Sequence, residues 1–95
     1  MFEVGTSVAT PGRVRDQLYF WTAYTYYQQG VAIDGSNEVN EACQPARRAL
    51  SKFQQVLPNL DRAGAEQPQS QAQIRESTDV YIYRQEQIIR KNCGG

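Results

Sequence analysis

The aromatic residues of this 95-residue chain are concentrated in one run, Tyr19-Phe-Trp-Thr-Ala-Tyr-Thr-Tyr-Tyr-Gln-Gln-Gly30, which holds six of the ten. No charged residue occurs from position 17 to position 33, and Thr10-Pro11 fits a helix N-cap followed by proline at the first helical position. Apolar or aromatic side chains fall on every face of a helix drawn through the run, which is typical of a helix with neighbours on several sides. We therefore expect a central, buried helix over about residues 11–32, with Gly30 as a stop signal.

A membrane span is the alternative explanation for so long an uncharged run. Its glutamines, threonines and glycine are too polar for a helix surrounded by lipid. We therefore expect no membrane-spanning segment here.

Hydrophobic periodicity predicts two more helices. Apolar residues at steps of three and four predict a helix over about residues 38–57, which Pro45 permits if it lies in the first regular turn. The capping-box pattern Ser70-Gln-Ala-Gln73 predicts the start of a third helix over about residues 71–92. The sequence thus predicts an all-α fold, a single domain of three antiparallel helices over residues 1–95.

Residue types that favour turns and loops predict the segments outside the helices. Residues 1–9 have no helical period and are expected to form a loose leader. Asp34-Gly-Ser-Asn37 is expected to be a turn, because Asp, Ser and Asn bond their own backbone and glycine tolerates positive φ. The polar segment 62–69, with glycine and proline, is expected to be the most mobile loop.

The two cysteines, Cys43 and Cys93, are either free thiols or one disulfide. If the second helix starts near Cys43 and the third ends at Cys93, antiparallel packing places both cysteines at the same end of the pair. We therefore expect a disulfide, and with it an oxidising compartment: periplasm, cell surface or secreted fluid. The opening Met-Phe-Glu-Val lacks the regions of a signal peptide, so we expect a mature domain with an added methionine.

The composition argues against several classes of function. Ten basic residues balance ten acidic ones, so neither nucleic acid nor an anionic surface is an expected partner, and Arg47, Arg48 and Lys52 are most simply a solvated face. Histidine is absent, which removes the commonest general base and metal ligand. The cysteines do not form a paired zinc motif. We predict no enzymatic activity, no cofactor and no metal.

Two segments resemble the paired helices of a tetratricopeptide repeat. Ala23-Tyr-Thr-Tyr-Tyr-Gln-Gln-Gly30 is similar to the end of the first helix of such a repeat, and Ala46-Arg-Arg-Ala-Leu-Ser-Lys-Phe-Gln-Gln-Val-Leu-Pro58 is similar to its second helix. The resemblance covers residues 19–58, and about ten more residues separate the two helices than in the tight turn of the family. It implies a helical scaffold that presents a groove to a peptide or protein.

Aromatic side chains supply the candidate binding residues. Large aromatics in a small domain lie mainly in the core, but a three-helix core has no room for all of those on the first helix. Because tyrosine and tryptophan anchor many protein interfaces, the remainder are expected to contact a partner. The candidates are Tyr19, Trp21, Tyr24, Tyr26, Tyr27 and Tyr83.

Two functions fit these observations. The first is a non-enzymatic protein-binding module, a small subunit or adaptor of an extracytoplasmic assembly, acting as a homo-oligomer or within a larger complex. The second is a small secreted inhibitor or immunity-type protein that blocks an enzyme through the segment 59–69. A leftover apolar helix face favours the first function, and a mobile polar loop favours the second.

Overall fold

The structure, a computed structural model, describes residues 11–94, so the predicted leader lies outside the described residues. It contains three α-helices, α1 (Pro11–Asn37), α2 (Cys43–Arg62) and α3 (Pro68–Cys93), and no strand within residues 11–94. Each helix runs antiparallel to the one before it. The predicted all-α, three-helix antiparallel fold is confirmed.

The central helix of the bundle is α2. Both α1 and α3 pack along it, and they contact each other less extensively. The apolar stripe predicted for α2 faces the core, with Ala46, Ala49, Phe53 and Val56 fully buried. The aromatic helix α1 was expected to be the central, buried helix, but it is an outer helix of the bundle, with Leu18 and Trp21 exposed. Two neighbouring helices cover only part of its circumference, whatever residues the remaining face carries.

Phe53 joins the three helices at the middle of the bundle. Its ring is completely buried and stacks on Tyr81 of α3, with ring centroids 4.9 Å apart. Tyr27 of α1 meets the same ring edge-on at 6.2 Å. Gly30 lies directly beneath it, where a Cβ atom would come within 2.7 Å of two ring carbons. Gly30 therefore makes room for Phe53 and does not end α1.

Two helices end later than predicted, α1 at Asn37 instead of about 32 and α2 at Arg62 instead of about 57, and α3 begins earlier, at Pro68 instead of about 71. The expected turn at residues 34–37 is the last turn of α1, and the true turn follows it. Pro58 lies inside α2, on the exposed side, where water can bond the carbonyl that loses its amide partner. The predicted Ser70 cap is also wrong. Pro68 begins α3, since its missing N–H costs nothing at that position.

The start of α2 was predicted at about residue 38, but the helix begins later, at Cys43. Pro45 is the third residue of the helix and lies in the first turn, as expected. Val39, which the periodicity placed on the apolar stripe, precedes the helix and is almost wholly exposed. The inner side of α3 carries Ile74, Thr78, Gln85 and Ile88, all of which are buried.

Both connections between helices are short and held by one amide side chain each. Asn37 is buried, and its side chain accepts a hydrogen bond from the Ala42 amide at 2.7 Å and donates one to the Ala42 carbonyl at 3.0 Å. Gln71 donates to the carbonyls of Gly64 and Glu66, at 3.0 and 2.6 Å. Within the segment 62–69, which was expected to be a mobile loop, residues 63–67 form a hydrogen-bonded link between α2 and α3, and the remaining residues belong to the two helices.

A disulfide joins Cys43, the first residue of α2, to Cys93, the last residue of α3. Their Cα atoms are 6.0 Å apart. The pairing and its place in the antiparallel bundle are as predicted.

We expect Gly30→Ala to lower the free energy of unfolding by about 1–3 kcal/mol, since the new methyl group would press against a ring that is buried on all sides. The matched control is Gly35→Ala in the same helix, where no atom lies within 4 Å of the new Cβ. That change should raise the free energy of unfolding by roughly 0.4–1 kcal/mol. Urea unfolding followed by circular dichroism measures both, and equal effects would contradict the packing described for Gly30.

Removal of the disulfide tests the link between α2 and α3. A chain carrying both Cys43→Ser and Cys93→Ser should be about 4 kcal/mol less stable than the oxidised protein, because the bridge closes a loop with a sequence separation of 50. Reduction of the wild-type chain should produce the same loss in urea unfolding. An unchanged urea midpoint on reduction would be inconsistent with a bridge between these residues.

Candidate functional site

The face of α1 that points away from the core carries exposed apolar side chains. Val14, Leu18 and Trp21 are 43%, 64% and 52% exposed. They lie one turn apart along the helix, together with Thr25, because steps of four and three residues return to the same side. We call these four residues the α1 outer face.

The threonines on this side of α1 present little polar surface. Thr22 donates its hydroxyl to the Leu18 carbonyl at 2.7 Å, and Thr25 donates to the Trp21 carbonyl at 2.8 Å. Both hydroxyl donors therefore have partners within the helix, and the threonine methyl groups add to the apolar character of the surface.

Trp21 also borders a groove between α1 and the start of α3. The groove has a volume of about 330 Å³. Its α1 side is aromatic: the Trp21 ring meets Phe20 edge-on at 5.1 Å and Tyr24 edge-on at 5.6 Å. Its lining residues are Phe20, Trp21, Tyr24, Gln67, Ser70, Gln73 and Ile74. We call this the aromatic groove. Contact with two neighbouring rings restricts the Trp21 side chain, which lowers the entropy lost when a partner covers it.

The six predicted contact residues do not form one site. Trp21 and Tyr83 are exposed, on α1 and α3, in separate grooves. Tyr24 is half-buried beside Trp21, so these two are brought together. Tyr27 lies against Phe53 and Tyr81, which makes it chiefly a core residue.

The remaining two tyrosines lie at the seam between α1 and α2, each below a cation. The guanidinium of Arg62 is 5.7 Å from the centre of the Tyr19 ring. The ammonium of Lys52 is 5.7 Å from the centre of the Tyr26 ring. These cation–π contacts help to pack α1 on α2, and both tyrosine rings are half-buried by them and by the core.

Tyr83 lines a second groove on α3, of about 370 Å³. Val80 lies beside it and is 64% exposed, and the charged residues Glu41, Arg84 and Lys91 form its rim. A partner seated there would have to desolvate these charges, unlike a partner on the α1 outer face.

The exposed aliphatic residues Val14, Leu18 and Val80 were not among the predicted contact residues, because all of those candidates are aromatic. A signal for the first two was present: Leu18, Trp21 and Thr25 share a helical face that contains no charge. What could not be foreseen is that this face of α1 would be the one left uncovered.

A polar cluster closes the other end of the bundle. Arg84 Nε and Gln85 Nε2 both donate to Asp34 Oδ1, each at 2.7 Å, and Arg84 also lies 3.5 Å from a carboxylate oxygen of Glu41. The hydrogen bond to Asp34 raises the pKa of Arg84 above its usual value, against the opposing effect of burial. The cluster ties the end of α1 to α3.

The described residues contain neither a cluster of metal-ligating side chains nor a helix long and apolar enough to cross a membrane. Comparison of the chain with protein-family models, with curated proteins and with solved structures found no match. The resemblance to a tetratricopeptide repeat therefore stays a prediction.

The cluster at Asp34 also affects Tyr81. Burial raises the pKa of Tyr81 above 10.0, the nearby Tyr27 and Asp34 add to the rise, and Arg84 opposes it. Because the folded state then holds this proton more tightly than the unfolded state, the free energy of unfolding should fall as the pH rises above about 10, with no effect at neutral pH. Tyr81→Phe should flatten this decline, measured by urea unfolding from about pH 8 to about pH 11.

The control for that experiment is Tyr83→Phe, which removes the hydroxyl of an exposed tyrosine two positions away. If Tyr83→Phe flattened the decline as much as Tyr81→Phe, burial of Tyr81 would not be its cause.

Proposed function

We propose that this chain is a non-enzymatic protein-binding module, a small subunit or adaptor of a protein assembly, and that it docks through the α1 outer face and the aromatic groove. The observation that supports this function is the exposure of Leu18 and Trp21 side by side on a helix face without charge. Exposed apolar residues that are contiguous are typical of interaction sites, whereas single ones are ordinary.

The arrangement around Trp21 has the features of an interface centre. Tryptophan is the residue most often found to dominate binding energy, above all where neighbouring contacts exclude water. Here the ring lies between an apolar face and a groove whose polar residues, Gln67, Ser70 and Gln73, are uncharged. A partner that covered the apolar face and the groove would bury apolar surface without removing water from a charged side chain.

The charges on the surfaces of the other two helices support the choice of α1 as the docking surface. The exposed side of α2 carries Arg47, Arg48 and Arg62, and that of α3 carries Glu76, Asp79 and Glu86. None of these six residues forms an ion pair with another residue in the range 14–94. Exposed charges of this kind keep a surface solvated and contribute little to stability.

The proposal extends to the compartment. Stable disulfides are common in secreted, surface and periplasmic proteins and rare in the cytosol, which supports an extracytoplasmic location. The test is to trap thiols with an alkylating agent in intact cells that make the chain. Quantitative labelling of Cys43 and Cys93 under these conditions would contradict this location.

Binding is tested with Trp21→Ala and its matched control Tyr83→Ala, which removes an exposed aromatic ring from the separate groove on α3. Proteins captured with the tagged wild-type chain from its native source should be recovered equally well with Tyr83→Ala. With Trp21→Ala their recovery should fall by about tenfold or more. Quantitative mass spectrometry gives the recoveries.

Circular dichroism and urea unfolding establish that both variants fold, as expected for exposed positions. Tyr27→Ala provides the opposite control, because loss of its ring opens the core beside Phe53 and should destabilise the chain. Equal recovery of every captured protein by wild type and Trp21→Ala would overturn the proposed docking site.

A further inference from the structure

We infer that a second copy of this chain is a partner for the α1 outer face, with α1 packed antiparallel against α1 of the other copy about a two-fold axis. This inference rests on the proposed function and names a partner for it. Three observations support it: the spacing of the exposed residues, the absence of charge from position 17 to position 33, which includes every one of these residues except Val14, and the register in which their apolar side chains cover one another.

The exposed side of α1 has the spacing of a coiled-coil seam. Steps of four and three residues alternate along it, which keeps the residues on one line when two helices wind around each other. The positions in this seam are Val14, Leu18, Trp21, Thr25, Gln28 and Ala32. It lies opposite the buried residues Ala23 and Gly30, and all six of its positions are exposed, although Trp21 also borders the start of α3.

Because it lacks charge, this face can pack against the same face of a second copy. A two-fold contact brings the same surface of both copies together, so a charged face would meet residues of its own sign near the axis. From position 17 to position 33 α1 contains no charged residue. On α2, by contrast, Arg47, Arg48 and Arg62 would be brought against their own copies.

One antiparallel register covers every exposed large apolar residue of α1. With the two-fold axis between positions 19 and 20, Leu18 of each copy lies opposite Trp21 of the other, and Val14 lies opposite Thr25. The seam positions then alternate as they do in antiparallel coiled coils. Antiparallel helices also place their dipoles in the favourable orientation.

The expected contact is small. Two helices that meet over about four turns bury less than the ~800 Å² per partner of a standard interface. We therefore expect a dimer with a dissociation constant in the micromolar range or weaker, in equilibrium with the monomer. The two copies would separate readily when another protein competes for the same face.

Sedimentation velocity over a concentration series from about 1 μM to about 1 mM tests the dimer, using Leu18→Glu and Val80→Glu as a matched pair. Leu18 and Val80 are both 64% exposed on helix surfaces, so each substitution should leave the fold intact. Wild type and Val80→Glu should dimerise with rising concentration. Leu18→Glu, which places a carboxylate inside the uncharged seam, should stay monomeric or weaken association by at least tenfold.

Cross-linking tests the register. A Val14→Cys chain mixed with a Thr25→Cys chain should be linked by a short bis-maleimide, because these positions lie opposite each other in the antiparallel pair. Each variant alone should link poorly, since two copies of position 14 would be about 16 Å apart along the axis. The native cysteines do not compete, because Cys43 and Cys93 are paired.

A wild-type chain that stays monomeric throughout the series, or a Leu18→Glu chain that dimerises as well as wild type, would overturn the inference. So would stronger linking between identical variants than between the mixed ones, which would indicate a parallel pair. These failures are separable from failure of the proposed function: a monomer that still captures other proteins through Trp21 would disprove only the dimer.

Discussion

The contact between Phe53 and Gly30 is the constraint on which the rest of the bundle depends. Because residue 30 has no side chain, α1 approaches α2 closely enough for the Phe53 ring to rest on its backbone. The same ring stacks on Tyr81 and meets Tyr27, so one side chain determines how both outer helices sit on the central one. Full burial of a phenylalanine contributes about 1.5–3 kcal/mol, a large share of the stability of a domain this small.

Polar groups at the two ends of the bundle preserve the alignment that Phe53 establishes. Asn37 and Gln71 each hold a short connection, and Asp34 ties α1 to α3. Two buried oxygens, Thr78 Oγ1 and Gln85 Oε1, have no hydrogen-bond partner among the described residues, at a cost of about 1–3 kcal/mol each. The disulfide offsets such costs by restricting the unfolded chain, by about 4 kcal/mol for a loop of this length.

The charges of this neutral chain are separated by helix, and this separation organises its surface. The exposed side of α2 is mainly basic, the middle of α3 is acidic, and the exposed side of α1 beyond Arg15 is uncharged. Although the net charge is zero, the three helices therefore present surfaces of different charge. Within residues 14–94, only the surface of α1 combines the absence of charge with adjacent apolar side chains, which is why we propose it as the binding surface in preference to the larger groove beside Tyr83.

Much of the fold followed from the sequence, because helix type and the inward faces of α2 and α3 depend on local spacing. The apolar stripe of α2 and the antiparallel placement of Cys43 and Cys93 are examples. Helix ends were less predictable. Gly30 and Pro58 are stop signals by local chemistry, yet each lies inside a helix. At position 30 the Phe53 ring occupies the space that a side chain would fill, and Pro58 lies on the side of α2 that faces water.

The candidate site was also predictable only in part. The sequence by itself determined that α1 carries an uncharged aromatic surface larger than a small core can bury. Only the tertiary structure decided which part stays outside, since that depends on the sides of α1 that α2 and α3 cover. Tyr27 became core through its contact with Phe53, and Leu18 and Trp21 stayed exposed because no helix of the described bundle packs over them. Local spacing defines the faces of a helix, but long-range packing selects the face that remains for a partner.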